Sequence, residues 1–232
     1  DICAQCKKPS CISPVICKNL NADHTPLLDI YKEVDSIPEI KRSFIGSGIR
    51  YDLLLHRYAD DNLNKAAHTY MEELRAHHVS GRLKVAPEHT EDNVLKMMRK
   101  PSFELFGQFK KIFDRVNKQH GLNQQLIPYF ISSHPGCTEA DMANLAIQTK
   151  KLHFQLEQVQ DFTPTPMTLA TEMYYTGYHP YTLEKVYTAR TKEQKLAQRQ
   201  FFFWYKPEFR RQITQALQRI GKKDLIGKLF GR

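Results

Sequence analysis

Four short apolar runs, separated by stretches of helical periodicity, constrain this chain more than any other feature. The runs are Ser43–Ser47 (SFIGS), Leu83–Ala86 (LKVA), Leu126–Ile131 (LIPYFI) and Leu156–Phe162 (LEQVQDF). Their length and β-branched or aromatic content read as buried strands. Between them, Asn62–His77 places Leu63, Ala66, Ala67, Tyr70, Met71 and Leu74 on one helical face. Glu91–Arg99 and Phe103–Lys118 form two more amphipathic patterns, the second carrying Phe106, Phe109, Ile112, Phe113 and Val116. Thr138 stands as an N-cap with Asp141 at the capping-box position. Strand starts about 30–45 residues apart suit right-handed β-α-β units and a parallel sheet. Four strands are too few to close an eight-stranded barrel, which leaves an open sheet or part of a larger barrel.

After Phe162 the rhythm stops. Thr163-Pro164-Thr165-Pro166 is a stiff extended segment. Short helices are expected at Leu169–Tyr175, at Lys192–Tyr205 with its aromatic ending, and at Pro207–Ile220, with Pro in the first turn and Gly221 beyond the end. Five consecutive aromatics, Phe201–Tyr205, cannot share one helical face and point to core and contact packing.

Charge sharpens this division. The net charge of +9 sits entirely between Arg190 and Arg232, where 12 basic residues face only Glu193, Glu208 and Asp224. Any attraction to a polyanion, RNA included, therefore belongs to residues 190–232, although a solvated helical face gives the same pattern. No apolar run approaches the roughly 20 residues of a membrane span. The start, Asp1-Ile2-Cys3-Ala4, has neither a basic n-region nor an h-region. A cytoplasmic setting and a portion cut from a longer chain are the expectations.

Four of the five cysteines fall at Cys3, Cys6, Cys11 and Cys17. Four thiolates within 15 residues can converge on one soft metal, as structural zinc or an iron–sulfur cluster, with Lys7, Lys8 and Lys18 offsetting their charge. Free thiols in a loose terminal segment are the alternative. Cys137 stands apart and reads as a buried, inert thiol. Polar residues also gather after each apolar run, where α/β folds place their sites. They are Arg50 and Asp52 after Gly46-Ser47-Gly48, Glu88 and His89, Ser132–Cys137, and Gln160, Asp161 and Thr163.

Several strings resemble the YgiQ-like radical S-adenosylmethionine (SAM) family. They are SFIGSGIRYDLL, HHVSGRLKVAPEHT, MMRKP, LIPYFISSHPGCT, VQDFTPTPMT, MYYTG, FFFWYKPE and GKKDLIG. The resemblance covers essentially the whole chain. It implies an α/β fold: a partial (β/α) barrel of radical SAM type, about four parallel strands, then a helical C-terminal extension. The domains would be a cysteine-rich segment at 1–38, barrel at 39–165 and a basic helical region at 166–232. In the longer parent it implies SAM bound to a [4Fe–4S] cluster held by CxxxCxxC, and a 5′-deoxyadenosyl radical acting on an unknown substrate. No CxxxCxxC occurs in these 232 residues, so this chain alone is not expected to cleave SAM. The leading cysteines then look like the family's second cysteine group, holding zinc or an auxiliary cluster.

The resemblance also suggests roles at the strand ends. Lys84 and Glu88 would meet the ribose or carboxylate of SAM, Arg99 or Lys100 its carboxylate, and Ser132, His134 and Gly136 its adenine. Arg50, Asp52, His89 and Asp161 remain as candidate substrate contacts. Two other classes stay open: a nucleic-acid-binding module using the basic helices, and a zinc-stabilised interaction domain. The missing half of the parent chain is the expected intramolecular partner, and no membrane is involved.

Overall fold

The structure, a computed structural model, describes residues 3–157 and 159–231. Asp1 and Ile2 of the leading segment, Gln158 of the fourth predicted strand and Arg232 of the basic stretch lie outside the described residues. The chain divides into two compact units, Asp1–Ala86 with Glu104–Ile127, and Pro87–Phe103 with Pro128–Arg232.

In the first unit, helix α1 (Thr25–Asp35) precedes a single turn, α2 (Tyr51–Leu54), and α3 (Asp61–His77). Helix α3 starts at Asp60, whose carboxylate accepts the Asn62 N–H and so satisfies an otherwise orphaned donor. Its predicted stripe buries Ala67, Tyr70, Met71 and Leu74. Arg75 is buried too, because Nε donates to the Met71 carbonyl and Nη1 reaches the Ile112 carbonyl. Strand β1 (Arg82–Glu88) follows, with Leu83 and Val85 almost fully buried. In this unit Phe106, Phe109 and Phe113 form the buried stripe of α5 (Phe103–Gln119), which comes after α4 (Asp92–Met97). Tyr51 packs on two of these rings, 6.0 and 5.4 Å between centroids.

Strand β2 (Gln125–Ser132), helix α6 (Glu139–Lys151) and strand β3 (Val159–Asp161) continue the alternation. The strands form one three-stranded parallel sheet in the order β1-β2-β3. Strands β2 and β3 align Phe130 with Val159, Ile131 with Gln160 and Ser132 with Asp161. The first predicted strand, Ser43–Ser47, does not join this sheet. Its Ile45 N–H goes to the His78 carbonyl, and a lone parallel bridge, Ile49 to Val85, marks where pairing begins. Gly46 and Gly48 interrupt the run, and glycine weakens a strand by offering no side chain to pack. Four expected strands thus become three among the described residues.

The second unit closes with helices α7 (Leu169–Thr176), α8 (Lys192–Arg199), a 3-10 turn (Gln200–Phe203), α9 (Pro207–Arg219) and α10 (Asp224–Phe230). Its core joins Met142, Leu145 and Ala146 of α6 to Phe201, Phe202, Ile213, Leu217 and Leu229. The aromatic run explains itself here. Phe201 and Phe202 are fully buried, while Trp204 donates to Thr149 Oγ1 at 3.1 Å and the Tyr205 hydroxyl to the Leu156 carbonyl at 3.2 Å. The Thr138/Asp141 capping box forms as the spacing predicts.

Candidate functional site

Within the second unit a cavity of about 460 Å³ opens at the ends of β1, β2 and β3. That volume lies in the range of small-molecule sites. Four groups of residues line it: Glu88 at the end of β1; Met97, Met98, Arg99 and Lys100 at and after the end of α4; Ile131 and His134 around the end of β2; and Gln160, Phe162 and Thr163 around β3, with Thr165, Thr168, Leu169 and Ala170 closing one side.

The charged wall has unusual backbone. Glu88 and Arg99 both hold left-handed conformations, φ 68° and 55°, as does Ser133 at φ 61°. Such conformations cost non-glycine residues about 1 kcal/mol or more and persist only where the surroundings impose them. The Glu88 carboxyl is mostly buried, with Oε1 3.2 Å from Lys100 Nζ and Oε2 making no hydrogen bond. Burial pushes its pKa up, while Lys100 pulls the other way. A buried, half-satisfied carboxylate is costly unless a ligand donor completes it. Arg99 lies with its guanidinium carbon 5.5 Å from the Tyr181 ring centroid.

His134 is the neutral member of the set. Its Nδ1–H donates to the Pro135 carbonyl at 2.8 Å, which leaves Nε2 as an acceptor, and Phe162 meets the ring edge-on at 5.1 Å. Burial lowers its pKa to about 4. The turn carrying it is fixed from α8. The Ser133 N–H donates to Gln198 Oε1, and Gln198 Nε2 donates to the Cys137 carbonyl, both at 2.7 Å. Gly136 has φ 87°, and a Cβ there would stand 3.1 Å from Met97 Cγ. The turn therefore requires glycine for both conformation and space.

Strand-end position named Glu88 and His134 and the family resemblance named Arg99 and Lys100, and all four line this one cavity. Other candidates lie elsewhere. Ser132 and Asp161 do not line it; side chains alternate along a strand, so Ile131, Gln160 and Phe162 take the cavity side. Ser132 Oγ instead donates to Asp161 Oδ1 at 2.5 Å, and Arg199 holds the other oxygen at 3.1 Å. His89 is fully buried behind the loop. Its Nδ1 accepts the Glu91 N–H, so the ring proton sits on Nε2, 3.5 Å from Cys137 Sγ. Burial depresses its pKa to about 3 and raises the Cys137 thiol well above its usual range. Cys137 is buried as expected, and burial there disfavours the thiolate, the reactive form. Gly136 shapes the turn without lining the cavity. Lys84 is exposed in the first unit, where Arg50 Nε also donates to Asp52 Oδ1 at 2.8 Å. Phe162, Met97, Met98, Thr165 and Thr168 were not singled out by sequence. Only the alternation along β3 could have pointed to Phe162.

Cys3, Cys6 and Cys11 are exposed and Cys17 is half-exposed. Among the described residues no three His, Cys, Asp or Glu side chains are gathered as a metal-ion set. The donor chemistry nevertheless suits a soft metal. The Cys6 N–H donates to the Cys3 carbonyl at 3.2 Å and the Lys8 N–H to Cys6 Sγ at 3.5 Å, the kind of N–H···S bond that supports metal thiolates. No helix among the described residues is long and apolar enough to cross a membrane.

Residues 157–230 match a family described as a domain of unknown function, DUF3362. Along its whole length the chain is 68% identical to a UPF0313 protein of Bacteroides thetaiotaomicron, covering 37% of that protein. A UPF0313 protein of Porphyromonas gingivalis is also 68% identical, with 36% of its length covered. One from Clostridium perfringens is 45% identical over 222 residues, 32% of its length. The chain thus spans about a third of the length of the curated relatives it matches.

Proposed function

We propose, from this end-to-end likeness to longer UPF0313 proteins and from the YgiQ-like motifs, that the chain is part of a radical SAM enzyme whose cavity in the second unit holds SAM. The observation that carries the reading is Glu88: a mostly buried carboxylate in left-handed backbone, one oxygen unpaired, beside a cavity that Arg99 and Lys100 share.

The cavity's chemistry suits SAM group by group. The Glu88 carboxylate would accept from the ligand's ammonium or ribose hydroxyls, with a small side-chain rotation bringing the buried, unpartnered Oε2 to the cavity. Arg99 or Lys100 would pair with its carboxylate; arginine offers a bidentate fork and lysine a point charge. His134 Nε2 is an acceptor suited to an exocyclic amine, with Phe162 and the flanking methionines supplying apolar contact to a flat base. Bound to a reduced [4Fe–4S] cluster, SAM supplies a 5′-deoxyadenosyl radical. The CxxxCxxC ligands of such a cluster do not occur in these 232 residues, and the residues described here bind and orient rather than cleave. Cys3, Cys6, Cys11 and Cys17 would hold a separate zinc ion or auxiliary cluster with a structural role. The sheet would form part of a (β/α) barrel completed by the remaining two-thirds of the longer protein.

The test is anaerobic incubation of the full-length protein, carrying its CxxxCxxC and a full cluster load, with SAM and a reductant. Release of 5′-deoxyadenosine is expected, reduced at least about tenfold by Arg99→Ala at subsaturating SAM. A cluster-loaded protein that yields none rejects the reading.

A further inference from the structure

Five of the chain's eleven tyrosines fall between residues 174 and 187, and the cavity does not use them as lining. Tyr175, Tyr178, Tyr181 and Tyr187 are 68%, 43%, 65% and 45% exposed. Ring exposure on this scale discards burial that each side chain could have gained in a core. The segment that carries them is nonetheless well built. Tyr178 and Lys185 form an antiparallel bridge, the Val186 N–H donates to the Gly177 carbonyl, and the Tyr181 and Thr182 N–H groups both donate to His179 Nδ1. Arg190 Nη2 ties the Tyr175 carbonyl at 2.9 Å. A fixed scaffold therefore presents flat rings to solvent.

These rings are interleaved with cations and connect to the cavity. Arg99, a cavity residue, lies over Tyr181. Tyr174 packs 5.7 Å from Phe162, another cavity residue, and Lys195 stands over Tyr174 at 5.3 Å. Lys192, Lys195 and Arg199 share one face of α8 by their spacing, and Arg199 reaches Asp161 at the end of β3. From Arg190, just before this helix, onward lies the chain's entire positive excess.

We infer that this surface binds a single-stranded polynucleotide and that the strand is the substrate class of the reaction proposed above, on which that last step rests. Cations neutralise a phosphate backbone, and exposed aromatic faces stack on unpaired bases regardless of sequence. A duplex hides its base faces, so it can use the charges but not the rings. A protein partner would call for a desolvated centre poor in charge. Here phenol rings alternate with lysine and arginine, and the exposed aliphatic side chains among them are Leu183 and Leu196.

The test needs neither SAM nor reductant, so its failure and that of the cavity reading are separable. Fluorescence anisotropy would follow the full-length protein against a labelled mixed-sequence single-stranded RNA of about 15 nucleotides. The same sequence as DNA, the annealed duplex and heparin would run in parallel. Single strands are expected to bind better than the duplex, and the RNA and DNA arms tell which sugar is preferred. Tyr175→Ala/Tyr178→Ala/Tyr181→Ala should weaken single-strand binding about tenfold or more while leaving heparin binding within about twofold; the corresponding Phe triple variant should keep most of it. Lys192→Ala/Lys195→Ala should flatten the salt dependence by about one to two units of slope. Absence of saturable binding at low salt, a preference for duplex, or single-strand affinity indifferent to the tyrosines overturns the inference. A polypeptide target would produce the first of these results.

Discussion

The two units treat their polar groups differently. In the first, Arg75 satisfies two backbone carbonyls, the His78 ring bonds to Ser43 and Arg50 pairs with Asp52. No non-glycine residue of this unit, among those described, has positive φ. All six such residues, Glu88, Arg99, Ser133, His153, Met167 and Leu183, belong to the second unit, and Glu88 Oε2 and Ser133 Oγ are buried there without partners. The first unit carries one such atom, Gln124 Oε1. Strain and unmet hydrogen-bonding capacity are costly, and three of these six residues, Glu88 and Arg99 in the cavity lining and Ser133 next to His134, lie at one cavity together with both unpaired atoms. The first unit reads as scaffold by the same measure.

The contrast breaks most visibly at the turns. Gly136→Ala adds a Cβ at 3.1 Å from Met97 Cγ in a left-handed residue, and should cost about 2–4 kcal/mol in chemical denaturation. Gly81 is equally left-handed, φ 94°, but opens onto free space in the first unit. Its alanine variant should cost only about 1 kcal/mol. Equal losses would mean that packing around the cavity turn is no tighter than elsewhere.

Next in size is Gln198→Ala, which strands the Ser133 N–H and the Cys137 carbonyl together. A loss of about 2–3 kcal/mol is expected. Because the helix carrying Gln198 holds the His134 turn, amide hydrogen exchange at Gly136 and Cys137 should rise with it. Unchanged protection at those amides would show that α8 does not hold the turn.

A smaller, pH-dependent effect follows from His89 and His134. Burial lowers both, to about 3 and about 4. The unfolded chain then binds more protons than the native one at mildly acid pH. The stability that neutral burial supplies is present above the unfolded value of about 6.5 and is lost as pH falls from there, toward about 4 for His134 and about 3 for His89. His89→Asn, whose side-chain oxygen can still accept the Glu91 N–H, should flatten this acid limb by about 1–2 kcal/mol near pH 4.5. A limb of the same steepness in the variant would place the titration elsewhere.

How much was legible beforehand follows the same division between local and long-range causes. The Thr138/Asp141 capping box and the Asn62–His77 stripe depend on spacings of three and four residues, which sequence displays directly. Strands β1 and β2 showed as apolar runs. The choice between Asp161 and its neighbours Gln160 and Phe162 depended on register, and a slip of one residue moves every side chain to the other face. His89 was hidden in the same way: it follows Glu88, yet turns into the core against Cys137, 48 positions away. The left-handed backbone at Glu88 and Arg99 has no sequence signature at all, since neither is glycine or asparagine.

Isothermal titration of SAM into the full-length protein, beside its Glu88→Gln variant, puts the cavity to the most direct trial. The amide should raise thermal stability slightly by removing a buried charge, and weaken SAM binding at least about tenfold. Identical affinity in the two proteins, or a variant that loses stability and affinity together, would show that Glu88 is a structural carboxylate and that the cavity is not the SAM site.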